Sequence, residues 1–391
     1  MTAKKSDRAS GDGYNDRSGN RNSVILCLVS VILALACLFA GAPTAYPLSK
    51  NENEYESRKV ILPFASYTPE TSLMLGGLFV LQFKPGEAGT NTRSSQLLLS
   101  GIYTLNQQTM VEFMPNIIFP DEKWLVDGRF EYSHFPVKYW GVGSQTPDAY
   151  EMELEYRSVD IRQSVLRKMG NGWYAGPQVR FAKYSDIKLA DQGDQSEDGA
   201  NVAGSEGSTM AGFGFSVRKD ERNSIVTPTS GHYLEFSSFT YPGFTTTGYS
   251  HTSWLLDMRN YRKFRARTEP VLAFQFKSRL TTGELPFHEY SRVGGNKIMR
   301  GYYMGRFRDS NAAQIQMELR QRAWWRFGFA LFASAGEVWS RFDEFSLNNP
   351  KFAAGAGLRF NLNPEDTNHV RIDYGIGHHG SGFYVTIGEA F

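Results

Sequence analysis

Apolar and polar side chains alternate along most of the chain after residue 56, in blocks separated by Gly, Pro, Asn and Asp. The clearest block is Gln314–Arg320, where every second residue is apolar and the residues between are polar or charged. Arg371–Tyr374 and Phe383–Ile387 repeat the pattern. Successive side chains of a strand point to opposite faces, so these blocks predict strands with one apolar and one polar face. No segment has a helical period long enough to predict a helix.

The blocks predict sixteen strands. They span residues 57–66, 72–84, 94–105, 107–119, 123–134, 151–168, 172–187, 208–221, 231–241, 249–264, 269–283, 311–324, 327–339, 351–363, 369–379 and 382–391. An even number is typical of single-chain bacterial outer-membrane barrels. The predicted fold class is therefore all-β, a 16-stranded antiparallel transmembrane β-barrel over residues 57–391. In one strand the apolar parity changes between Tyr156 and Val159, which predicts a β-bulge near Ser158.

The lengths of the connections predict the orientation of the barrel. If both termini face the periplasm, the connection after each odd strand is external and is the longer kind. The long connections 135–150, 188–207, 284–310 and 340–350 all follow odd strands. Connections after even strands, such as 120–122 and 325–326, are mostly short. The acidic, glycine-rich stretch from Asp191 to Ser208 is then an external loop, more typical of a solvated surface than of a calcium site.

Composition alone does not separate a membrane barrel from a soluble β-sandwich. Aromatic residues make up 14% of the chain and there are 38 Gly, but hydrophobic residues reach only 41%. Aromatic girdles and curved strands account for such values in a barrel, and a sandwich shares them. The net charge is only +2, and this balance gives no reason to expect nucleic acid as a partner.

The first 45 residues resemble an export signal. Basic residues precede an uncharged apolar run from Val24 to Ala40, and small residues follow it. The alternative is a permanent helical anchor, although the run is near the lower limit of a membrane span. We expect residues 1–45 to be a signal peptide with an unfixed cleavage site, residues 46–56 a short periplasmic lead-in, and the mature protein to reside in the bacterial outer membrane. Cys27 and Cys37 both lie in the signal, so no disulfide is expected.

The polar strand faces carry charges of both signs, for example at Glu151, Glu153, Glu155 and Arg157. We expect these faces to line a wet, charged lumen. Two interpretations stay open: the charges pair across strands, or they line a path for solutes. The second interpretation requires an open pore.

No motif predicts an enzyme or a cofactor. The letters of Gly375–Gly380 match a dinucleotide-binding fingerprint, but that motif requires a strand followed by a helix, and here two strands flank a turn. His378 and His379 are adjacent on a strand and point to opposite faces, which disfavours a metal site. We therefore predict no catalytic residues, no metal and no cofactor.

The strongest local feature lies in the connection 284–310. Gly294 and Gly295 begin a segment that continues to Arg300, Gly301 and Tyr302. Glycines that tolerate unusual backbone angles, next to an Arg and an aromatic residue, predict a loop folded tightly back, into the barrel. An Arg inside a lumen needs a carboxylate partner, because an unpaired buried charge is costly.

The Arg300–Tyr302 segment resembles the Arg-Gly-aromatic loop of the BamA/TamA-like surface-antigen superfamily of outer-membrane β-barrels. Tyr139–Gly143, Asp220–Gly231, Phe332–Gly336 and the terminal Phe391 are similar to further segments of that barrel, in the same order. The resemblance implies a sixteen-strand barrel with Arg300 against the inner wall. The family places an Asp on a late strand opposite this Arg, where the present chain has Ser334. Possible partners of Arg300 are Ser334, Glu337, Asp309 and Glu318.

The same resemblance implies further expectations. Members that insert proteins carry periplasmic POTRA domains, for which residues 46–56 leave no room, so the chain looks like a barrel-only member. Phe383, Val385, Ile387 and Phe391 resemble the C-terminal signal that the assembly machinery recognises in its clients. The expected partners are outer-membrane lipid, the barrel-assembly machinery during biogenesis and a separate periplasmic protein.

Three functions remain open at this stage. The first is assistance of protein or lipid insertion or transport at the outer membrane, through a deformable barrel seam and the Arg300 loop. The alternative is a passive outer-membrane channel. The least favoured is an outer-membrane hydrolase with a site on the external rim.

Overall fold

The computed structural model describes residues 57–84, 92–190, 202–346, 348–361 and 369–391. The predicted signal peptide, the lead-in up to residue 56 and the acidic stretch 191–201 lie outside the described residues. The described chain contains sixteen long strands, labelled β1 to β16. They are β1 Arg58–Thr68, β2 Ser72–Phe83, β3 Ser95–Thr104, β4 Thr109–Ile118, β5 Trp124–His134, β6 Met152–Gly170, β7 Trp173–Ala190, β8 Ser208–Asp220, β9 Gly231–Tyr241, β10 His251–Lys263, β11 Val271–Gly283, β12 Asn311–Trp324, β13 Phe327–Trp339, β14 Lys351–Asn361, β15 His369–Gly377 and β16 Gly380–Ile387.

The sixteen strands form one closed antiparallel barrel. Each strand pairs with its neighbour in the sequence, and β16 returns to pair with β1. The fold class predicted from the alternation is confirmed, and β12 and β13 have the predicted limits. Most long connections follow odd strands, as a barrel with both termini at the periplasmic end predicts, but the connection 84–94 after β2 is as long as 340–350 after β13. Within the described residues, no helix is both long and apolar enough to cross a membrane.

The outer face of the barrel is apolar. Leu99, Phe213, Met317 and Leu358 are exposed large side chains on this face, and charged residues are concentrated on the opposite face. Near the turn between β12 and β13, Trp324, Trp325, Phe327 and Phe360 form a cluster of ring contacts. Aromatic residues at this level are typical of the interfacial girdle of a membrane barrel. The apolar strand faces therefore meet lipid, not a protein core.

Strand β6 keeps its phase, so the predicted bulge near Ser158 is wrong. The register irregularity lies between Glu155 and Arg157, and the extra residue belongs to the partner strand β7, where Asp186 has φ of 54°. The inward positions of β6 include the apolar Leu154 and the polar Ser158 alike. Leu154 is apolar because it packs inside the barrel against residues of the external loops.

The same phase corrects the expectation that residues 151–157 line the lumen with charge. Glu153 and Arg157 are exposed and alternate with the inward Leu154. Arg157 forms an ion pair with Asp186 at 3.0 Å, with both side chains about half exposed. These charges lie on the outside of the wall, where the strands extend beyond the apolar belt. The lumen is charged through other residues, described below.

The last strand is shorter than predicted. β16 ends at Ile387, and the chain turns at Gly388, whose φ is 79°. Phe391 therefore leaves the outer face that Phe383, Val385 and Ile387 share. Its ring lies 6.1 Å from that of Tyr261 on β10, and its carbonyl accepts a hydrogen bond of 3.0 Å from Arg320. The terminal aromatic residue therefore packs on the inner wall, in a cluster with Tyr261 and Ala273.

Candidate functional site

The external connection 284–310 folds into the barrel. Two short antiparallel strands, Ser291–Val293 and Phe307–Asp309, form its stem, and residues 294–306 form its tip. Val293, Met299, Tyr302 and Phe307 are buried in one apolar cluster with wall residues of β12 to β14. Burial of this apolar surface favours the docked loop. The name inner loop is used below for residues 284–310.

The tip lies directly on the backbone of β15. A Cβ atom on Gly301 would lie 2.8 Å from the carbonyl carbon of Ile376, and one on Gly375 would lie 2.5 Å from the carbonyl oxygen of Arg300. A Cβ atom on Gly377 would overlap the ring of Tyr302. Gly301 also has φ of 118°, which disfavours any residue with a side chain. The glycines of 375–380 thus provide a flat floor for the loop, which is a structural reason for the motif that resembles a dinucleotide fingerprint.

Two tyrosines fix the tip to the wall. The backbone N–H of Gly301 donates to the hydroxyl of Tyr384 on β16 at 3.0 Å. The hydroxyl of Tyr302 donates to the carbonyl of Phe352 at 3.0 Å and accepts from the N–H of His378 at 3.1 Å. Buried polar groups of the loop are therefore paired with wall groups rather than left without partners.

Arg300 is fully buried and bridges two wall carboxylates. Its guanidinium donates to Glu318 on β12 and to Asp373 on β15. The same group lies over the ring of Phe332 on β13, 3.6 Å from the ring centroid. Charge-assisted hydrogen bonds and a desolvated cation–π contact are among the stronger polar interactions in proteins. Arg300 therefore joins three strands of the C-terminal half of the barrel.

The bridge belongs to a larger charged network on the inner wall. Its members are Arg300, Arg320, Arg359, Arg371, Glu318, Asp373 and Glu389. Arg359 is the central wall cation, 2.6 Å from Asp373 and 3.0 Å from Glu389. Four guanidinium groups thus share three carboxylates, so the network has an excess of positive charge.

The structure separates the four expected partners of Arg300. It brings Glu318 into contact with Arg300 and places the others elsewhere. Ser334 donates to the carbonyl of Ala353 at 3.4 Å. Glu337 pairs with Lys351 at 2.7 Å, and Asp309 accepts from the N–H of Ser310 at 2.8 Å. Expectations for these three residues as Arg300 partners are therefore wrong, because their strand positions lie nearer the external rim than the loop tip does.

Sequence reasoning missed Asp373. It lies on the inward face of β15, two residues before Gly375, and so shares a face with the glycine floor. The alternation of Arg371–Tyr374 places Asp373 in the lumen but gives no information on which side of the barrel the loop tip contacts. The glycines at positions 375 and 377 were the signal that marks β15 as the docking strand.

A second anchor holds the outer part of the inner loop. Glu289 is buried and pairs with Arg180 on β7 and Arg279 on β11, each at 2.9 Å. Burial alone would raise the pKa of Glu289, but Arg180, together with His288 and Arg279, holds that pKa well below its usual range. His288 stacks on Tyr184 at 3.5 Å between ring centroids, which adds packing to the ion pairs.

The tip also contacts the first hairpin of the barrel. The N–H of Met304 donates to the carboxylate of Glu70, in the turn between β1 and β2, at 2.8 Å. Gln108 and Asn106 donate to the backbone carbonyl of Glu70 at 2.9 and 3.1 Å and fix this turn. Since Gly301 contacts Tyr384 on β16, the inner loop touches both strands that close the barrel or their turns.

In the described part of the chain, no group of His, Cys, Asp and Glu side chains is arranged to hold a metal ion. Arg300, Tyr302 and Glu289 of the inner loop are engaged in ion pairs and hydrogen bonds with the wall. The geometry therefore describes a docked plug that is held by charge and by close backbone contact.

Together these features define a class of protein: a closed transmembrane β-barrel with an Arg-Gly-Tyr loop docked on a charged inner wall. The profile of the Omp85 superfamily domain matches residues 100–391. The chain belongs to the Omp85 superfamily, as an outer-membrane barrel of that family. The resemblance based on the Arg300 loop is confirmed by this match. No curated protein matches the chain significantly.

Solved structures with the same fold include two kinds of barrel. BamA from Haemophilus ducreyi lacking POTRA domains 1–3 has a TM-score of 0.59 and 12% identity, over 93% of this chain and 78% of that one. CdiB from Acinetobacter baumannii has a TM-score of 0.52 and 13% identity, over 84% of this chain and 59% of that one. CdiB from Escherichia coli has a TM-score of 0.55 and 10% identity, over 86% of this chain and 64% of that one. At these identities the likeness concerns the fold.

Proposed function

We propose that this barrel assists the insertion or transport of protein or lipid at the outer membrane by opening between β1 and β16, with the inner loop controlling the opening. The observation that carries the proposal is the short junction of these two strands. Their register contains a single pair, Tyr67 with Val385, whereas β1 and β2 pair along eleven positions and β15 and β16 along eight. The junction of β1 and β16 is called the seam below.

Opening the seam would break few interactions. The contacts across it include the pairing at Tyr67, a hydrogen bond of 2.6 Å from the Ser66 hydroxyl to the carbonyl of Val385, and a tilted contact of Tyr67 with Phe383 at 6.1 Å. Each hydrogen bond contributes about 0.5–1.5 kcal/mol net. A full ladder costs several times more to separate, so the seam is the place where the wall parts most easily.

The inner loop is placed to couple its own position to the seam. It contacts Glu70 beside β1 through Met304 and Tyr384 on β16 through Gly301. Separation of β1 from β16 pulls these two contacts apart unless the tip releases one of them. We infer that the docked loop braces the closed state, and that release of Arg300 from Glu318 and Asp373 favours the open one.

A disulfide across the seam tests the proposal. Both Cys residues lie within the first 45 positions, so the strands contain no competing thiol. The variant carries Tyr67→Cys with Val385→Cys, which are paired across the seam. A matched control carries Val111→Cys with Tyr132→Cys, which are paired within the wall between β4 and β5.

The two variants are reconstituted in proteoliposomes, oxidised or reduced. The readouts are the folding rate of an unfolded outer-membrane barrel protein added as client and the transbilayer movement of a fluorescent phospholipid. We expect oxidation of the seam pair to stop whichever of these two activities the wild type shows, and reductant to restore it. The control variant should be active in both states. Full activity of the oxidised seam variant would contradict the proposed opening.

A passive channel is the alternative function, and the charged inner wall favours it. Cross-strand pairs such as Arg218 with Asp127 at 3.1 Å and Arg129 with Glu112 at 2.5 Å keep this wall hydrated. Conductance in planar bilayers separates the two functions. A large, steady, ion-selective current supports the channel, whereas a small flickering current supports a lumen occupied by the inner loop.

A client-specific role also requires delivery. We propose that a separate periplasmic protein brings the client to the barrel. This arrangement is supported if one periplasmic protein is recovered with the barrel from native membranes. That protein should no longer be recovered after an excess of the seam-locked barrel has been used to remove it. Lipid alone on the purified barrel favours the lipid branch of the proposal.

A further inference from the structure

Cations without carboxylate partners converge inside the barrel beside the tip of the inner loop. Lys277 extends from the inward face of β11, and Arg292 and Lys297 belong to the inner loop. Within the described residues none of these three side chains forms an ion pair, in contrast to the arginines of the Arg300 network. They are called the lumen cations below.

Lys297 lies at the innermost part of the tip. Its carbonyl accepts a hydrogen bond of 2.9 Å from Gln316 on β12, and the carbonyl of Asn296 accepts one of 3.1 Å from Arg371 on β15. These contacts fix the backbone on the wall, while the side chain of Lys297 stays accessible to solvent. An accessible ammonium group enclosed by the strands indicates a water-filled space in this part of the lumen.

The surroundings of Lys297 are positive. The charged groups that act on it most strongly are Arg259, Lys277, Arg129 and Arg371, which are all cationic and come from four strands around the wall. Removal from bulk water, and these cations in addition, lower the pKa of Lys297. The ammonium group thus faces like charge rather than a counterion.

The nearest carboxylates are already engaged. Asp257 stands opposite Lys277 in the β10–β11 register, but it accepts hydrogen bonds from Arg259 at 2.6 and 3.0 Å and from Gln275 at 2.9 Å. Glu131 forms an ion pair with Arg129 at 2.5 Å. Asp257 and Glu235 lie near enough to attract Lys277, but within the described residues neither carboxylate forms an ion pair with a lumen cation.

Arg292 adds a second like-charge contact. It is paired across the stem of the inner loop with Arg308, whose guanidinium donates to the carbonyl of Gly305 at 3.2 and 3.3 Å. Burial and the charge of Arg292 lower the pKa of Arg308 to about 10. Like charges directly opposite each other on two strands are destabilising, so an anion bound between them would relieve their repulsion.

We propose that Lys277, Arg292 and Lys297 form a binding site for a phosphate-bearing anion inside the lumen. Converging ammonium and guanidinium groups match the several acceptor oxygens of a phosphate, and the low-dielectric barrel wall concentrates their field. The phosphate comes either from a lipid headgroup that enters through the wall or from a free anion in the lumen. This site goes beyond the proposed function and does not depend on it, because it needs no opening of the seam.

Inorganic tripolyphosphate is the probe for the test. It is titrated calorimetrically into the complete barrel in nanodiscs of phosphatidylcholine at low salt. The test variant carries Lys277→Gln with Lys297→Gln, and the matched control is Lys183→Gln, an exposed lysine on the outer face of β7. We expect binding to the wild type and the control, and a loss of about tenfold or more in affinity for the test variant, since two charge-assisted contacts are removed.

A second measurement separates a binding site from a structural role. Removing unpaired like charges relieves repulsion, so the test variant should melt no lower than the wild type. Absence of tripolyphosphate binding to the wild type, or equal affinity in the wild type and the test variant, overturns the proposal. A test variant that loses binding only together with its folded barrel, as judged by the mobility shift of unheated samples in gels, also overturns it.

A further titration identifies the source of the phosphate. The titration is repeated in nanodiscs that contain phosphatidylglycerol in place of part of the phosphatidylcholine. If tripolyphosphate binds the wild type more weakly in these nanodiscs and the test variant shows no such change, the result supports a site that lipid headgroups reach. Unchanged binding supports a site for a free anion. Both results retain the lumen cations as the ligands of phosphate.

Discussion

Replacing Arg300 with Ala should undock the inner loop while leaving the ladders between successive strands from β1 to β16 intact. The side chain donates to Glu318 and Asp373 and lies over Phe332, so the variant loses two charge-assisted hydrogen bonds and one cation–π contact. Breaking a buried ion pair by removing one partner costs about 3–5 kcal/mol, chiefly because the other charge is left unpaired.

Here neither carboxylate is left unpaired. Glu318 keeps Arg320 at 2.7 Å, and Asp373 keeps Arg359 at 2.6 Å. Removing Arg300 also brings the network from an excess of cations to a balance of charge. We therefore expect the low end of that range, about 3 kcal/mol against the docked loop, or roughly a hundredfold increase in its open population.

Asp373→Asn is the informative comparison. It removes a carboxylate from a network that already has an excess of guanidinium groups, and Arg300, Arg359 and Arg371 all lose a partner. We expect a larger loss of docking than for Arg300→Ala. The exposed pair of Arg157 with Asp186 gives the control, since Arg157→Ala should cost about 0–1 kcal/mol.

Hydrogen exchange of residues 294–306, followed by mass spectrometry on the folded barrel, measures the docking equilibrium. Protection of this segment should fall about a hundredfold in Arg300→Ala and further in Asp373→Asn, with the wall strands unchanged. Equal protection in the wild type and Arg300→Ala, or a smaller loss in Asp373→Asn than in Arg300→Ala, would refute the charge-balance reasoning.

Three more perturbations test the loop contacts. Gly375→Ala should undock the loop because its Cβ meets the Arg300 carbonyl, whereas the Cβ of the control Gly77→Ala has free space. Equal protease sensitivity of the two variants would contradict the role of Gly375 in loop docking. Glu289→Gln should weaken the outer anchor by about 3–5 kcal/mol as measured by hydrogen exchange, and no loss would show that Arg180 and Arg279 do not depend on it. Burial lowers the pKa of His288, so its contribution is complete above the unfolded pKa near 6.5 and declines as pH falls. After correction for the intrinsic pH dependence of amide exchange, residues 284–292 should therefore be less protected at acidic pH than at neutral pH, and pH-independent protection would argue against the titration.

The wall was predictable because its physics is local. A strand between lipid and water must alternate, and the pattern at Gln314–Arg320 reports this directly, so the limits of β12 agree with the structure. The prediction from alternation failed where a strand meets a second apolar environment, inside the barrel. Leu154 faces inward, as its parity with Ser158 requires, and it is apolar only because the external loops cover it.

The loop was predictable in kind but not in its contacts. Gly301, with its positive φ, and the buried Arg300 follow from local residue chemistry. The choice of Asp373 over Ser334 depends on how far the tip descends and on which side of the lumen it lies, and both are set by the stem and by Glu289. Such distances are tertiary quantities, and no spacing along the chain specifies them.

The footprint of the tip also constrains the order in which the chain acquires its structure. Arg300 contacts β12, β13 and β15, and Gly301 contacts β16, so every one of these partners is synthesised after the loop itself. The tip cannot settle until the last strand has arrived, and until then its guanidinium group remains hydrated. Closure of the barrel and burial of Arg300 are thus parts of one late step, and a chain truncated before Tyr384 would present its loop to whatever chaperone accompanies it.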